Sequence, residues 1–139
     1  MENNGIFAIM KKLMQEMCLS EAPCTIYSVL AISEKSMSIM EISEKTGYSL
    51  PMIYSSIREL IENNLVEKIK NGKNTEYIAN INFIEVFEKR RKKIMEKFIE
   101  PLANMDLKNY PQNVRIREIK EYANTLYEYF IKINKLNNK

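Results

Sequence analysis

In the centre of the chain, apolar residues first recur at the spacing of an α-helix and then at the alternating spacing of a β-strand. Ser38 and Glu41 form the S-x-x-E pattern of a capping box, in which each side chain satisfies a backbone N–H left without a partner by the first helical turn. A helix is therefore predicted to begin at Ile39. It is short, because Gly47 can take up the left-handed conformation that ends a helix.

A second helix is predicted directly after this turn. Ser49 can cap its N-terminus, and Pro51 falls in the first turn, where a missing N–H costs little. Apolar residues at three- and four-residue spacing form one stripe that is expected to be buried, namely Ile53, Ile57, Leu60 and Ile61. The side chains that turn outward are candidates for contacts in a DNA major groove: Pro51, Met52, Tyr54, Ser55 and Arg58.

After Asn63 and Asn64 the pattern changes to LVEKIK, NGKN and TEYIA, which predicts two strands joined by a tight turn. Asn71 and Gly72 are expected to be the central residues of a type I′ turn, both with positive φ. Lys68 and Lys70 lie two positions apart and share one strand face, with Lys73 at the tip. Lysines in this arrangement suit phosphates beside a groove, although they also fit a solvated hairpin whose lysines protect an edge strand from aggregation.

The order helix, turn, helix, two-stranded ribbon is that of a winged helix-turn-helix. The predicted fold is mainly α (α+β), with a two-stranded β wing flanked by an N-terminal helix and long C-terminal helices. The function indicated is binding of double-stranded DNA, with the second helix in the major groove and the wing on the flanking backbone. The candidate DNA-binding residues are Ser49, Pro51, Met52, Tyr54, Ser55, Arg58, Lys68, Lys70 and Lys73.

Three amphipathic helices are predicted outside this domain, and they indicate a homodimer. The last helix starts near Pro111 and carries a heptad seam made of Ile116, Ile119, Ala123, Leu126, Phe130 and Ile133. The helix before it carries Ile84, Phe87, Met95, Phe98, Leu102 and Met105, and the N-terminal helix carries Ile6, Met10, Leu13 and Met17. These stripes must pack on each other, on the winged domain or on a second copy of the chain. The predicted organisation is a dimerisation helix over 1–19, the winged domain over 20–80 and a C-terminal dimerisation region over 81–139, and the alternative is a compact monomer.

The net charge of +3 is unevenly distributed. From Met1 to Asn80 there are eight Lys and Arg against ten Asp and Glu, a net charge of −2, and the remaining residues carry 13 against eight, a net charge of +5. A slightly acidic winged domain weakens the DNA interpretation unless the basic residues gather on one face. The run from Lys89 to Lys93 is the densest basic patch, and it either reaches flanking phosphates or lies on a solvated surface.

Several other classes are disfavoured. No stretch has the roughly 20 apolar residues of a membrane span, and Lys11 and Lys12 interrupt the N-terminal apolar stretch, so a cytoplasmic location without membrane contact is expected. With no histidine and two cysteines, neither a metal site nor another cofactor is predicted. Cys18 and Cys24 are interpreted as core residues, with a redox-active disulfide as the alternative. No catalytic residues are identified, since there is no Gly-rich phosphate loop and no acid pair in an apolar setting.

The segment IYSSIRELIENNLVEKIKNGKNTEYIA, from Ile53 to Ala79, resembles the recognition helix and wing of archaeal TrmB-type regulators. Those proteins usually show a Val-Tyr start, a Leu-x-x-Leu core and a Gly-Leu-Val step into the wing. Asn64 stands in place of the glycine of that step, and Asn tolerates left-handed geometry. The layout of helices before and after the domain is similar to that of the MarR and GbsR regulators.

What the resemblance implies is a dimeric transcriptional regulator that lacks the sugar-binding domain of the longer TrmB proteins. A small-molecule effector of unknown identity is compatible with such a regulator. The competing hypothesis is a winged helix that serves as a protein-interaction module or scaffold and does not read DNA sequence.

Overall fold

The computed structural model describes residues 4–17 and 19–137 of the chain. Its α-helices and strands follow in the order α1 (Asn4–Glu16), α2 (Glu21–Ile32), α3 (Ile39–Thr46), α4 (Leu50–Glu62), β1 (Val66–Asn71), β2 (Asn74–Ala79), α5 (Phe83–Ile94), α6 (Glu100–Ala103) and α7 (Val114–Asn137). A π-helical segment, Met95–Ile99, joins α5 to α6, and a 3₁₀ turn, Leu107–Asn109, precedes α7. The mainly α fold with a two-stranded antiparallel wing is the one predicted from the sequence.

The chain divides into two compact units, Met1–Val86 and Phe87–Lys139. This division leaves the predicted organisation into three segments, 1–19, 20–80 and 81–139, as a prediction, because it does not test which segments associate with a second chain. Among residues 4–17 and 19–137, no helix is both long enough and apolar enough to cross a membrane.

The core of the first unit joins α1 to the helix-turn-helix. Met10 and Met14 of α1, and Met17 directly after it, are buried in one cluster with residues of α2, α3, α4 and the wing. Much of the apolar stripe of the N-terminal helix is therefore covered by the winged domain of the same chain. Packing on the winged domain was one of the three possibilities that the sequence left open for this stripe. Ile6 and Ile9 of α1 remain exposed.

The caps predicted for α3 and α4 are confirmed. The Ser38 hydroxyl accepts a hydrogen bond from the Glu41 N–H at 3.2 Å, and the Glu41 carboxylate accepts one from the Ser38 N–H at 3.1 Å. Gly47 ends α3 with a φ of 75°, and its N–H donates to the Ser43 carbonyl. The Ser49 hydroxyl then accepts from the Met52 N–H, which starts α4 in the orientation that the second helix of this motif needs.

The prediction that Ile61 belongs to the buried stripe of α4 is wrong. Ile53, Ile57 and Leu60 are buried as expected, but Ile61 is 37% exposed and Ser56 takes the fourth buried position. The stripe is centred between Ile53 and Ile57, and Ile61 lies at its margin in the last turn of the helix. A small hydroxyl side chain can be buried at Ser56 where neighbouring helices approach closely.

Asn64 forms the joint between α4 and the wing. Its φ is 60°, in the left-handed region. The Asn64 N–H donates to the Ile61 carbonyl at 3.0 Å, and the Leu65 N–H donates to the Leu60 carbonyl at 2.9 Å. These two bonds are those of a Schellman motif, which satisfies the last carbonyls of the helix and turns the chain towards the first strand. The asparagine thus does what the glycine of the resembling regulators is expected to do.

The wing is a hairpin whose turn lies one residue later than predicted. Asn71 pairs with Asn74, so the two central residues of the turn are Gly72 and Lys73. Gly72 has a φ of 65°, as expected, but Asn71 and Lys73 do not have positive φ. Glycine in the first central position is the requirement of a type II′ turn, which suits the twist of the strands as well as type I′ does. Met37, ahead of α3, adds a single bridge to Tyr77 of β2.

The second unit packs α7 against the helical segment that begins in α5. Met95, Ala103, Ala123 and Phe130 are its buried apolar residues. The α7 helix begins at Val114, three positions after Pro111, because the Asn113 side chain accepts a hydrogen bond from the Ile116 N–H at 3.1 Å and caps it. Much of the predicted heptad seam stays exposed in the single chain, including Ile119 and Leu126.

Candidate DNA-binding surface

The outward face of α4 carries the side chains that the sequence predicts there. Met52 and Tyr54 are exposed, and so are Pro51, Ser55 and Arg58. They are held in place by the buried residues on the opposite side of the helix, which pack against α2 and α3. The Ser49 side chain serves as the cap, and it too is exposed at the start of the helix.

The two faces of the wing differ in charge. Residues that face each other across the hairpin share one side, and side chains alternate along each strand. Lys68 and Lys70, paired with Tyr77 and Thr75, therefore lie on one face, and the Lys70 ammonium donates to the Thr75 hydroxyl at 3.2 Å. Lys73, in the turn, is exposed at the tip.

The acidic side chains of the wing lie on its other face. Glu67 and Glu76 both occupy positions of that side. The Ser36 hydroxyl donates to Glu76 at 2.6 Å and the Asn71 amide donates to it at 3.2 Å, and these bonds hold the pKa of the Glu76 carboxyl below its usual value. Glu76 is thus fixed as an anion away from the lysines. The net charge of −2 weakens the DNA interpretation only if the basic residues are scattered. In the wing they are gathered on one face.

Tyr77 connects the lysine face of the wing to α4. It is buried, and burial raises the pKa of its hydroxyl, to which the neighbouring Tyr54 hydroxyl adds. Tyr77 pairs directly with Lys68 and lies in the same buried cluster as Ile53 and Ile57 of α4, so the lysine face of the wing is the face that packs towards the helices. We call Ser49, Leu50, Pro51, Met52, Tyr54, Ser55, Arg58, Lys68, Lys70 and Lys73 the helix–wing surface.

Two residues of this region were missed by sequence reasoning. Leu50 is an exposed leucine in the first turn of α4, and Tyr77 positions the wing beside the helix. Leu50 could have been found, because it follows the cap Ser49 directly and lies off the buried stripe. Tyr77 could not, since its burial in one cluster with residues of α4 depends on how the hairpin folds back.

Tyr27 of α2 anchors the end of the wing through a hydrogen bond. It is fully buried in α2, and its hydroxyl donates to the Asn80 carbonyl at 2.8 Å, just after β2. Burial raises the pKa of Tyr27 to about 12. The phenol therefore stays neutral and keeps its donor role at any physiological pH.

The basic run from Lys89 to Lys93 does not form a uniform patch. Arg91 packs its guanidinium 5.0 Å from the centre of the Phe130 ring and binds the Glu88 carboxylate. Lys89, Lys92 and Lys93 are exposed. At least one cation of the run is thus used to hold α5 against α7 within the second unit.

Among residues 4–17 and 19–137, neither an activated thiol nor a metal-binding cluster of acidic residues is found. Cys24 is buried, and burial raises the pKa of its thiol, which makes the nucleophilic thiolate scarce. Cys18 lies outside the described residues, so the alternative of a disulfide stays a prediction. Over residues 4–17 and 19–137, no group of three or more Asp, Glu, Cys or His side chains is arranged to bind a metal ion.

Comparison with known families gives the identity of the domain. The family model described as "Sugar-specific transcriptional regulator TrmB" matches residues 13–94, from α1 through the helix-turn-helix and wing to α5. The chain belongs to the TrmB family. This TrmB family member is therefore assigned to transcription regulation, and the resemblance seen in its recognition helix and wing is confirmed.

One of the solved structures that resemble the chain shows the same fold beyond the residues of the family match. A protein described only as a transcriptional regulator has a TM-score of 0.69 at 15% identity, with 96% of this chain and 97% of that chain covered. TrmBL2, described as an archaeal chromatin protein, has a TM-score of 0.47 at 20% identity, with 78% and 46% covered. A MarR/EmrR family regulator from Acinetobacter sp. ADP1 has a TM-score of 0.45 at 16% identity, with 99% and 87% covered. No curated protein matches the chain significantly.

Proposed function

We propose that this TrmB family member binds double-stranded DNA as a homodimer, with α4 in the major groove and the wing on the adjacent backbone. The observation that carries the proposal is that α4 exposes uncharged side chains in its first turns, while the lysine face of the adjacent wing packs through Tyr77 into the cluster that also holds α4. Lys68, Lys70 and Lys73 border this surface, and the wing glutamates point away from it. A regulator of this kind acts where the chromosome is, which is the cytoplasm expected from the sequence.

The chemistry of the surface suits a duplex. Phosphates along the edge of a groove need cations at the border of the protein surface, and base edges need side chains on a protruding helix. Lysines on the hairpin supply the cations for the phosphates, and the N-terminal turns of α4 supply the side chains for the base edges. Members of this family are transcriptional regulators, and a surface that binds duplex DNA agrees with that role.

The dimer part of the proposal is supported by apolar side chains that a single chain leaves uncovered. On α7, Ile119, Tyr122 and Leu126 are exposed, Tyr122 by 75%. They line an apolar groove of about 350 Å³ together with Ile99 and Leu102. A second copy that covered this groove would remove apolar surface from water at about 25 cal/mol per Å². Two recognition helices related by a two-fold axis would then enter successive major grooves about 10 base pairs apart.

DNA binding is tested by the salt dependence of affinity for a labelled 30-base-pair random duplex, measured by fluorescence anisotropy. Replacement of Lys68, Lys70 and Lys73 by alanine should lower the slope of log affinity against log salt by about 0.9 for each phosphate that the variant no longer neutralises. The matched control replaces three lysines of the second unit that are also exposed, namely Lys108, Lys132 and Lys135. An equal loss for both sets would show that the wing has no special role.

The dimer is tested by light scattering. Leu126→Arg places a charge in the apolar groove of α7 and should convert a dimer at tens of micromolar into a monomer. Glu121→Arg is the control, because Glu121 lies on the opposite, exposed side of the same helix. A wild-type protein that is monomeric at this concentration would contradict the homodimer.

The competing function, a protein-interaction module, is favoured by one observation: the first unit carries a net charge of −2 between Met1 and Asn80. A module of that kind has no reason to bind duplex DNA in a salt-sensitive way. Absence of binding to the random duplex at about 50 mM salt, where electrostatic attraction is strong, would favour it over the regulator.

A further inference from the structure

The first two turns of α4 contain no charged side chain. The residues from Leu50 to Ile57 read LPMIYSSI, and the first charge on the helix is Arg58. Yet three large apolar side chains in these turns are turned to the outside: Leu50 is 39% exposed, Met52 45% and Tyr54 53%. Such side chains cost free energy in water, so their exposure on the protruding helix suggests that they are covered when the surface is occupied.

The border of this apolar group is cationic. Lys68 and Lys70 lie on the face of the wing that packs towards α4 through the buried Tyr77, and Lys73 extends from its tip. Leu50 and Tyr54 lie four positions apart on one side of the helix, and Met52 lies on the other side. Apolar side chains on both sides of the first turns, beside cations on the wing, complement a groove with a floor of bases and walls of phosphates. A partner with a purely apolar surface would leave these ammonium groups without counter-charges.

The acidic residues of α4 lie towards its other end. Glu59 and Glu62 occupy the last turns, beyond Arg58. Carboxylates repel phosphates, so their position favours entry of the helix by its N-terminal turns. The side chains that reach the base edges first are then the uncharged ones.

In the major groove, the C5-methyl group of thymine is the one apolar group on the base-pair edges. Within the DNA-binding function proposed above, on which this step rests, we infer that α4 selects half-sites rich in thymine by packing Leu50, Met52 and Tyr54 against thymine methyl groups. Hydrogen bonds from charged side chains to guanine play a minor part in these turns. Ser49 and Ser55 supply hydroxyls, which can hydrogen-bond to donors or to acceptors on the base edges.

The test begins with selection of bound sequences from a pool of random 30-base-pair duplexes by the full-length wild-type protein. Thymines in the enriched half-sites are then replaced one at a time by deoxyuridine, which removes only the methyl group. Each contacted methyl should be worth about fourfold in affinity, the equivalent of about 0.8 kcal/mol for one buried CH₂-sized group. Deoxyuridine outside the half-sites serves as the DNA control and should change affinity by less than 1.5-fold.

A protein variant links the effect to α4. Met52→Ala removes the side chain and retains the backbone N–H that donates to the Ser49 hydroxyl. It should weaken binding to the thymine duplex by three- to tenfold and reduce the penalty for deoxyuridine at one position to less than 1.5-fold. Met40→Ala is the matched control, because Met40 is a methionine of the neighbouring helix α3 that is 59% exposed, more than Met52. It should preserve both the affinity and the deoxyuridine penalty.

The outcomes separate this inference from the function on which it rests. Enriched half-sites without thymine, or salt-sensitive binding that ignores every deoxyuridine substitution, would overturn methyl recognition and leave DNA binding standing. Absence of any salt-sensitive binding would overturn both. A deoxyuridine penalty that persists in Met52→Ala but disappears in Leu50→Ala or Tyr54→Ala would retain methyl recognition and assign it to those side chains.

Discussion

The left-handed conformation of Asn64 predicts a difference in stability between two variants that differ by one Cβ atom. Asn64 has a φ of 60° and ends α4 at the joint with the wing. Asn64→Gly and Asn64→Ala both remove the carboxamide, and they differ only in that alanine keeps a Cβ at a backbone conformation that disfavours it. The pair therefore isolates backbone strain from the loss of the asparagine side chain.

The expected difference follows from two opposing effects. A non-glycine residue in the left-handed region costs roughly 1–2 kcal/mol. Glycine, for its part, has more conformational freedom to lose on folding, which costs it about 0.4–1 kcal/mol relative to alanine. The balance leaves Asn64→Gly more stable than Asn64→Ala by about 0.5–1 kcal/mol, or a few degrees in Tm for a chain of this size.

Urea denaturation followed by helical circular dichroism measures this difference, with the slope of the transition as an internal check that both variants unfold alike. Equal stability of the two variants would refute the reasoning, because it would mean that Asn64 does not hold the left-handed conformation in solution. A more stable alanine variant would refute it more strongly, since alanine is favoured over glycine at ordinary helical positions.

Three further predictions concern the wing and its support. Gly72→Val should distort the turn, because Gly72 has a φ of 65°, and should lower DNA affinity more than tenfold with helical circular dichroism unchanged; retained affinity would show that the wing makes no contact. Tyr27→Phe removes the hydrogen bond to the Asn80 carbonyl and should cost about 1 kcal/mol in urea denaturation. Because the pKa of Tyr27 is raised to about 12, the contribution of Tyr27 to stability should be constant below pH 10, where an unfolded tyrosine is also neutral, and should be lost between pH 10 and 12; the phenylalanine variant should therefore lose less stability than the wild type in this window. Arg58→Ala should cost about 1 to 3 kcal/mol on the selected DNA site and little on random DNA, whereas Lys73→Ala should weaken both alike in the same anisotropy assay.

The helices and their ends could be read from the sequence because their causes are local. The capping box of Ser38 and Glu41, the left-handed Gly47 and the cap at Ser49 each depend on residues within four positions of one another. The left-handed Asn64 was expected from its place in the family pattern, and two short backbone bonds explain it. The exposed side chains of α4 followed from helical periodicity alone.

The features that the sequence did not settle depend on contacts across the fold. The register that puts Gly72 first in the turn is set by pairing along the whole hairpin. The exposure of Ile61 depends on where the neighbouring helices end, which periodicity does not encode. The separation of lysines from glutamates on the wing needed the strand pairing as well. Contact of the helix–wing surface with DNA and the exact boundaries of the dimerisation segments stay predictions.

The opposite charges on the two faces of the wing have a consequence for the speed of association. With Lys68 and Lys70 on one face and Glu67 and Glu76 on the other, the hairpin carries an electric dipole across its thickness. In the DNA-binding function that we propose, the field of the duplex would exert a torque on this dipole and turn the lysine face towards the DNA before contact is made. The number of unproductive collisions would fall, so the wing would contribute to the rate of encounter as well as to the lifetime of the complex. A wing with the same net charge but mixed faces would have no such orienting effect.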